Sequence, residues 1–444
     1  MSFTVRKSSH LRIAFVSVLA CSALHGPVSA QDEQYGPVME PGTEAAVAIQ
    51  TDTAPASIPA PLAQAVARSL EQSPIVLVGL AEVAALEADL RTARWQRYPN
   101  LSAELLATTG GSNVADRDGL AVNLALEQPI WSGGTINSQV DAARFNVDVG
   151  RNALREARFN ILFAVIQSYY DALLAFERVK VLETGLEEHR ILVGSIERRV
   201  RQEVSPLADL TLARSRLTQL EVELTTAREI GQNAMLRLSE FVGAEVDRPV
   251  MGDQADSVSV PVQPVAMTEM MSCSPTMDRL RSEIDVAEAQ ASTARRSLSP
   301  QLLFQLSQNE ITGARAALVL RAQTGNGLSR LSAADSAEAR VDQAVAELGQ
   351  ADREGRTRLG AEYITLRSSQ QRSEAGAQAS QAASDLVASY RRQFVAGRRS
   401  WLDVLNAARE VTSARAAESD ARVNAAASAT RILALSCRWR PLGV

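Results

Sequence analysis

"SPIVLVGLAEVAALEADLRTARWQRYP" runs from Ser73 to Pro99, and "SPTMDRLRSEIDVAEAQASTARRSLSP" runs from Ser274 to Pro300. Both begin with Ser-Pro, pair Glu82 with Glu283 and Glu87-Ala88 with Glu288-Ala289, carry Thr-Ala-Arg at 92–94 and 293–295, and close on proline. A stretch that recurs with its internal spacing kept marks a duplication, so the elements after the first copy should recur after the second.

They do. After Pro99 the apolar period switches from helical to alternating: "LSAELLATTGG" and "GLAVNLALEQP" flank "SNVADRD", with Val122, Leu124 and Leu126 opposed to Asn123, Ala125 and Glu127. After Pro300, "QLLFQLSQN" puts Leu302, Phe304 and Leu306 on one side, and "ARAALVLRA" does the same with Ala316, Leu318 and Leu320. These predict two β-hairpins, at about 100–129 and 301–322. Strands of roughly ten residues with one apolar and one polar side have the length and pattern of strands that cross a bilayer. Trp95 and Tyr98 before the first hairpin and Trp131 after it are expected as a girdle at the membrane–water boundary.

Each hairpin leads into a long helical run. From about Thr135 to Glu203 the period is helical, on the order of 100 Å of helix, and Leu162, Ile166, Tyr169, Leu173 and Phe176 recur at the spacing of a coiled-coil seam. Ser205-Pro206 breaks this run, and a returning helix reaches about Glu240. In the second half the run extends from about Ser332 to Phe394, breaks at "VAGRRS" and returns to about Ala434. Ahead of the first hairpin a single helix is expected from Pro61 to Gln96.

The expected plan is a signal peptide over 1–30, an N-terminal arm over 31–60, repeat 1 over 61–250, a connector over 251–268 and repeat 2 over 269–444. The expected fold class is mainly α with a transmembrane β-barrel. Backbone groups in lipid must be satisfied internally, and four strands cannot close on themselves. Such a barrel would have to be shared: two chains give eight strands and three give twelve. Because each hairpin starts and ends on the same side, all the helices then hang from that side as a bundle.

Arg6, Lys7 and Arg12, the apolar "IAFVSVLACSAL" and the small residues ending at Ala30 read as a secretory signal. An alternative makes "VLAC" a lipobox with Cys21 lipidated. The whole chain carries a net charge of -5, and the first 30 residues hold no acid, so the exported part is more acidic still. That balance gives no support to a nucleic-acid partner, which needs a concentrated basic surface, and none is expected. The excess of Arg over Lys reads as genomic base composition. No later stretch is expected to be apolar enough for a membrane-spanning helix. Cys273 and Cys437 could pair in an oxidising compartment or remain two buried thiols.

Beyond the signal the single histidine is His189, expected on a helix surface rather than as a metal ligand. No Cys-x-x-Cys, nucleophile elbow or phosphate-binding glycine loop occurs, and "GSNVADRDG" lacks the later Glu of a calcium loop. Neither enzymatic activity nor a cofactor or metal is expected.

Three segments carry a family resemblance. "LEQPIWSGG" at Leu126–Gly134 is similar to the Pro-Leu-Phe-x-Gly-Gly strand end of the TolC family of outer-membrane channel-tunnels. Here Ile130 and Trp131 replace Leu-Phe. "VAGRRSWLDVLNAARE" at Val395–Glu410 resembles that family's Gly-x-x-Ser-x-x-Asp-x-Leu-x-Ala turn. "EVSPLADLTLAR" keeps Asp209 and Ala213 of the same turn, but lacks the Gly and has Pro206 at the Ser position. The resemblance covers nearly all of residues 61–437. It implies a homotrimer with one twelve-stranded barrel in outer-membrane lipid and a helical tunnel through the periplasm. It further implies a periplasmic adaptor and, through it, an inner-membrane ABC transporter or other pump. Conduction would be passive.

Where a second Pro-Leu-Phe-x-Gly-Gly would fall, the chain has "RAQTGNGLSRLSAADSAEARV" at Arg321–Val341. That variant resembles the branch serving type I secretion of large adhesins; a multidrug efflux channel is the alternative. A different class, a soluble coiled-coil adaptor, does not explain hairpins inserted twice between long helices.

The two helix breaks lie on the order of 100 Å from the hairpins and would form the far mouth of the tunnel. Arg198, Arg199, Arg201, Asp209, Arg391, Arg392 and Asp403 are the candidate gate, closed by Arg–Asp pairs between hairpins. Val204, Ser205, Gly397, Arg398, Arg399 and Ser400 are the candidate adaptor-docking residues, with Gly397 suited to a turn of positive φ.

Overall fold

A computed structural model describes residues 54–55, 57–108, 119–252, 259–309, 313–323 and 325–441. The signal peptide, Cys21, most of the arm and the tip of the first β-hairpin lie outside the described residues.

Helices α1 (Ala60–Gln72) and α2 (Pro74–Trp95) stand where a single helix was expected. Pro74 explains the split: it has no N–H to donate, and it drives the preceding Ser73 out of the helical region, to φ -64° and ψ 126°. Ser73 instead caps α2, its Oγ accepting from the Ile75 N–H at 3.3 Å. The second Ser-Pro likewise separates α5 (Gln263–Cys273) from α6 (Pro275–Arg296), with Ser274 at φ -66° and ψ 120°, but Ser274 makes no side-chain cap. The connector is therefore shorter than expected, because α5 already starts at Gln263.

Strands β1 (Asn100–Thr108) and β2 (Gly119–Trp131) form the first hairpin, and β3 (Gln301–Asn309) and β4 (Gly313–Arg321) the second. They make one antiparallel sheet in the order β1-β2-β3-β4, so the duplicated hairpins pair with each other through β2 and β3. A register shift between Pro129 and Trp131 follows from the missing proline donor.

Below the sheet run α3 (Thr135–Arg201) and α7 (Ser329–Val395), each of 67 residues, about 100 Å long. Each turns back as a shorter helix, α4 (Leu207–Val242) and α8 (Trp401–Leu435). The main core gathers α1, the middle of α3 and the end of α8, with Leu62, Leu162, Ile166, Leu173 and Ile432 fully buried. Removing each from water contributes roughly 1.5–3 kcal/mol. Contrary to expectation, α3 contains a stretch apolar enough to span a membrane, with mean hydropathy 1.4, but 67% of it is buried in this core. Tyr169 and Tyr170 place their hydroxyls on polar partners there: Tyr169 donates to the Val250 carbonyl and Tyr170 shares a 2.8 Å bond with Thr430.

The chain end is fastened to α5. Cys273 and Cys437 are joined as a disulfide with Cα atoms 6.5 Å apart, Arg438 donates twice to the Glu269 carboxylate at 2.8 and 3.0 Å, and Trp439 is buried. The Arg438 hydrogen bond holds the Glu269 carboxyl below its ordinary range.

Candidate functional site: an apolar sheet face and a distal helical mouth

The register sorts the sheet into two faces. One row pairs Leu101 with Leu126 and Leu126 with Leu306; the next pairs Gln128 with Phe304 and Phe304 with Leu318; after the shift Trp131 meets Leu302, which meets Leu320. This face is apolar and uncovered, with Leu101 at 70% and Leu318 at 69% exposure. The opposite face holds Asn100, Glu127 and Gln305 in one row and Ser102, Ala125, Ser307 and Arg315 in another. Its polar groups bond each other: Gln305 donates to Glu127 at 2.7 Å, and Arg321 reaches the same carboxylate at 3.3 Å. Among the described residues β1 and β4 each pair on one side only, so the sheet ends in two open edges. Apolar outside, polar inside and open at both edges is the form that a section of a larger barrel requires.

Trp95 and Tyr98 sit at the foot of β1, both exposed, with ring centroids 5.0 Å apart; Trp131 is exposed at the end of β2.

At the far end, α3 and α7 stop in the same kind of turn. Glu203 has φ 57° and Gly397 φ 70°. Val204 N–H bonds the Arg199 carbonyl and Arg398 N–H the Gln393 carbonyl, both at 2.9 Å, which satisfies carbonyls left over at the helix ends. Ser400 then caps α8, its Oγ accepting from the Asp403 N–H at 3.2 Å, whereas Pro206 offers α4 no side-chain cap.

Arg199 stacks over Phe394 at 4.9 Å and so connects the end of α3 to that of α7. Arg399 stacks over Tyr390 at 4.0 Å and lies 3.8 Å from Asp403 within its own hairpin. Trp401 packs against two clusters, one built on Leu192, Val387, Val404 and Leu405 and the other on Val193, Ile196 and Leu210. The two helical hairpins are thus held together at the mouth by Arg199, Phe394 and Trp401. Among the described residues of the mouth, the Arg–Asp contact is Arg399 with Asp403, local to the second hairpin. The Nε atoms of Arg199, Arg391 and Arg399 and Nη2 of Arg391 are enclosed without a hydrogen-bond partner among the described residues. Arg198 donates to Ser195, while Arg201, Arg392, Arg398 and Val204 are exposed and Ser205 and Asp209 half-buried. The aromatic partners Tyr390 and Phe394 are missing from the sequence prediction. Their four-residue spacing beside an Arg-rich break is the signal that could have found them.

His189 corrects an expectation: it is buried, 3% exposed, not on the surface. Its Nδ1 lies 2.8 Å from the Gly185 carbonyl, and Gly185 lets α3 approach α8 so closely that a Cβ there would stand 2.6 Å from Thr412 Oγ1. The contact between the hairpins, not amphipathic spacing, decides this burial. A groove of about 390 Å³ beside it is lined by His189, Arg178, Arg216, Arg409 and Asp420. Burial raises the Asp420 carboxyl, against the opposing pull of Arg178. No group of His, Cys, Asp and Glu suited to a metal occurs among the described residues.

Residues 65–244 match the family model of outer membrane efflux proteins. No curated protein matches the chain in sequence. Among solved structures, the outer membrane protein VceC of Vibrio cholerae superposes with a TM-score of 0.73 at 17% identity, over 84% of this chain and 96% of that one. The Campylobacter jejuni CmeC outer membrane channel gives 0.74 at 12% identity, over 85% of each chain. The open state of the Neisseria gonorrhoeae MtrE outer membrane channel gives 0.71 at 16%, over 90% and 97%. At such identities the likeness is one of fold, and it extends over both repeats.

Proposed function

We propose, on the premise that residues 65–244 belong to the outer membrane efflux protein family and that both repeats share the fold of solved outer membrane channels, that this chain is one third of a passive outer-membrane conduit. The sheet carries the reading. An uncovered apolar face with two open edges is unstable in water and unsatisfied in lipid until copies close it. An even number of antiparallel strands per chain lets β4 of one copy pair with β1 of the next. Three copies close a twelve-stranded barrel, with Trp95, Tyr98 and Trp131 at its boundary and six helical hairpins forming a tunnel below it.

The mouth is the regulated element. Arg199 on Phe394 and Trp401 between the hairpins favour the closed arrangement. The turn residues Val204, Ser205, Gly397, Arg398, Arg399 and Ser400 are presented to a periplasmic adaptor. The wall supplies no energy, so an inner-membrane pump working through that adaptor would drive transport.

The family description favours efflux as the function, and small solutes such as drugs as the cargo class to test first. Export of a large adhesin by type I secretion is the second reading, resting on the departure at Arg321–Val341. Planar-bilayer recording tests the conduit: stepwise conductance from the purified protein is expected, and a silent, water-soluble protein would count against it. Deleting the gene then separates the cargoes. Gain of drug sensitivity supports efflux, and loss of a surface adhesin supports secretion.

A further inference from the structure

Beneath the sheet each repeat has a groove between its short and its long helix, and the two grooves occupy the same place in the duplication. Helices α2 and α6 have 22 residues each and begin at the repeated prolines, so Arg91 corresponds to Ser292, Arg94 to Arg295 and Trp95 to Arg296. Helices α3 and α7 have 67 residues each, which sets Arg144 against Glu338. The first groove is about 410 Å³ and the second about 650 Å³.

Their charges differ in kind. In the second groove Arg295 is ion-paired with Glu338, and Arg296 donates to the Gly134 carbonyl at 3.3 Å. In the first, Arg151 takes both nearby carboxylates, Glu87 at 2.8 Å and Asp148 at 3.8 Å. Arg91, Arg94 and Arg144 line that groove with no side-chain partner among the described residues. Guanidinium forks without carboxylates in a concave site are suited to a phosphate.

Position narrows the source. Arg91 and Trp95 are four apart on α2 and share a face, so the groove opens on the flank that bears the exposed Trp95. On the proposed conduit function, in which Trp95 marks the membrane boundary, the groove begins about one helical turn, roughly 5 Å, below it. That is the depth of lipid headgroups. We infer that Arg91, Arg94 and Arg144 bind the phosphate of an anionic phospholipid in the periplasmic leaflet, at one site per chain, in repeat 1 and not in repeat 2.

The test uses the full-length protein reconstituted into phosphatidylcholine vesicles containing a minority of phosphatidylglycerol, then extracted and analysed for retained lipid by mass spectrometry. Wild type is expected to enrich phosphatidylglycerol. The variant Arg91→Ser with Arg144→Glu, which writes the second groove into the first, is expected to retain on the order of tenfold less, and added salt should weaken the enrichment. Ser292→Arg with Glu338→Arg should gain retention. Arg91→Lys, which keeps the charge, should retain an intermediate amount and guards against a folding defect. Equal retention by wild type and the double variant overturns the inference. So does displacement of the lipid by inorganic phosphate, which makes free phosphate the ligand. A variant that loses its oligomer and regains it with Asp342→Arg would give the groove to the neighbouring α7. A wild type that never enters the membrane would refute the channel reading itself, a result distinct from a membrane-bound oligomer that shows no lipid preference.

Discussion

Glu203 and Gly397 are equivalent residues of equivalent turns: each stands two residues beyond a 67-residue helix, with φ of 57° and 70°. A side chain in that region costs about 1–2 kcal/mol. Glu203→Gly should therefore stabilise the α3–α4 turn by about 1 kcal/mol, and Gly397→Val should destabilise the α7–α8 turn by at least that much. Hydrogen exchange of peptides spanning the two turns reads both effects; unchanged protection in both variants would contradict the assignment.

At the mouth, Phe394→Ala removes the ring under Arg199 and loosens the cation–π contact that joins the ends of α3 and α7. The expected outcome is a larger resting conductance and greater entry of bulky antibiotics, with oligomer yield unchanged. Asp403→Asn should do less, since its ion pair stays within one hairpin.

Gly185→Ala should destabilise the protein by about 1–3 kcal/mol, because the new methyl meets Thr412. Thr412→Ala in the same chain should restore most of the loss. A double-mutant cycle in thermal unfolding measures the coupling, and strict additivity would show that the two residues do not touch.

The bond between Cys273 and Cys437 spans a sequence separation of 164 and so encloses α6, both strands of the second hairpin, α7 and α8. Replacing both cysteines by serine is expected to cost about 2–4 kcal/mol. Peptide mapping without reductant should recover the cross-linked pair; free thiols at both positions would contradict it.

Burial pushes the Tyr170 hydroxyl up to about 12, against its hydrogen bond to Thr430. The folded value lies above the unfolded one, so this contribution is intact below pH 10 and is lost as pH rises toward 12. Tyr170→Phe should flatten stability over that window while lowering it near neutrality through loss of the bond to Thr430, whose hydroxyl keeps its own bond to the Ala426 carbonyl. Absorbance titration at the phenolate band, with parallel unfolding curves, checks both.

Much of this architecture is legible because the chain repeats itself. The period switch after Pro99 and Pro300 places the four strands, and the repeated Ser-Pro anchors the comparison. Locally the same Ser-Pro misleads: apolar spacing runs straight through it, while the proline's missing donor ends one helix and starts the next. His189 misleads for a related reason, since its burial depends on Gly185 and Thr412, which are 227 residues apart in sequence. The hydrophobic pattern of α3 resembles a membrane span because it lies in a core enclosed by other helices. At the mouth, the Arg-rich breaks and the Tyr390–Phe394 spacing beside them can be located from sequence, but that Phe394 lies under Arg199 of the other hairpin depends on where α7 stops relative to α3.

The central claim, that copies of this open sheet close a barrel in the outer membrane, is tested most directly by fractionating cells and comparing boiled and unboiled samples of the membrane fraction by gel electrophoresis. Recovery with the outer membrane and a heat-sensitive species near three times the chain mass are expected. A soluble periplasmic monomer or dimer, unchanged by boiling, would contradict the claim.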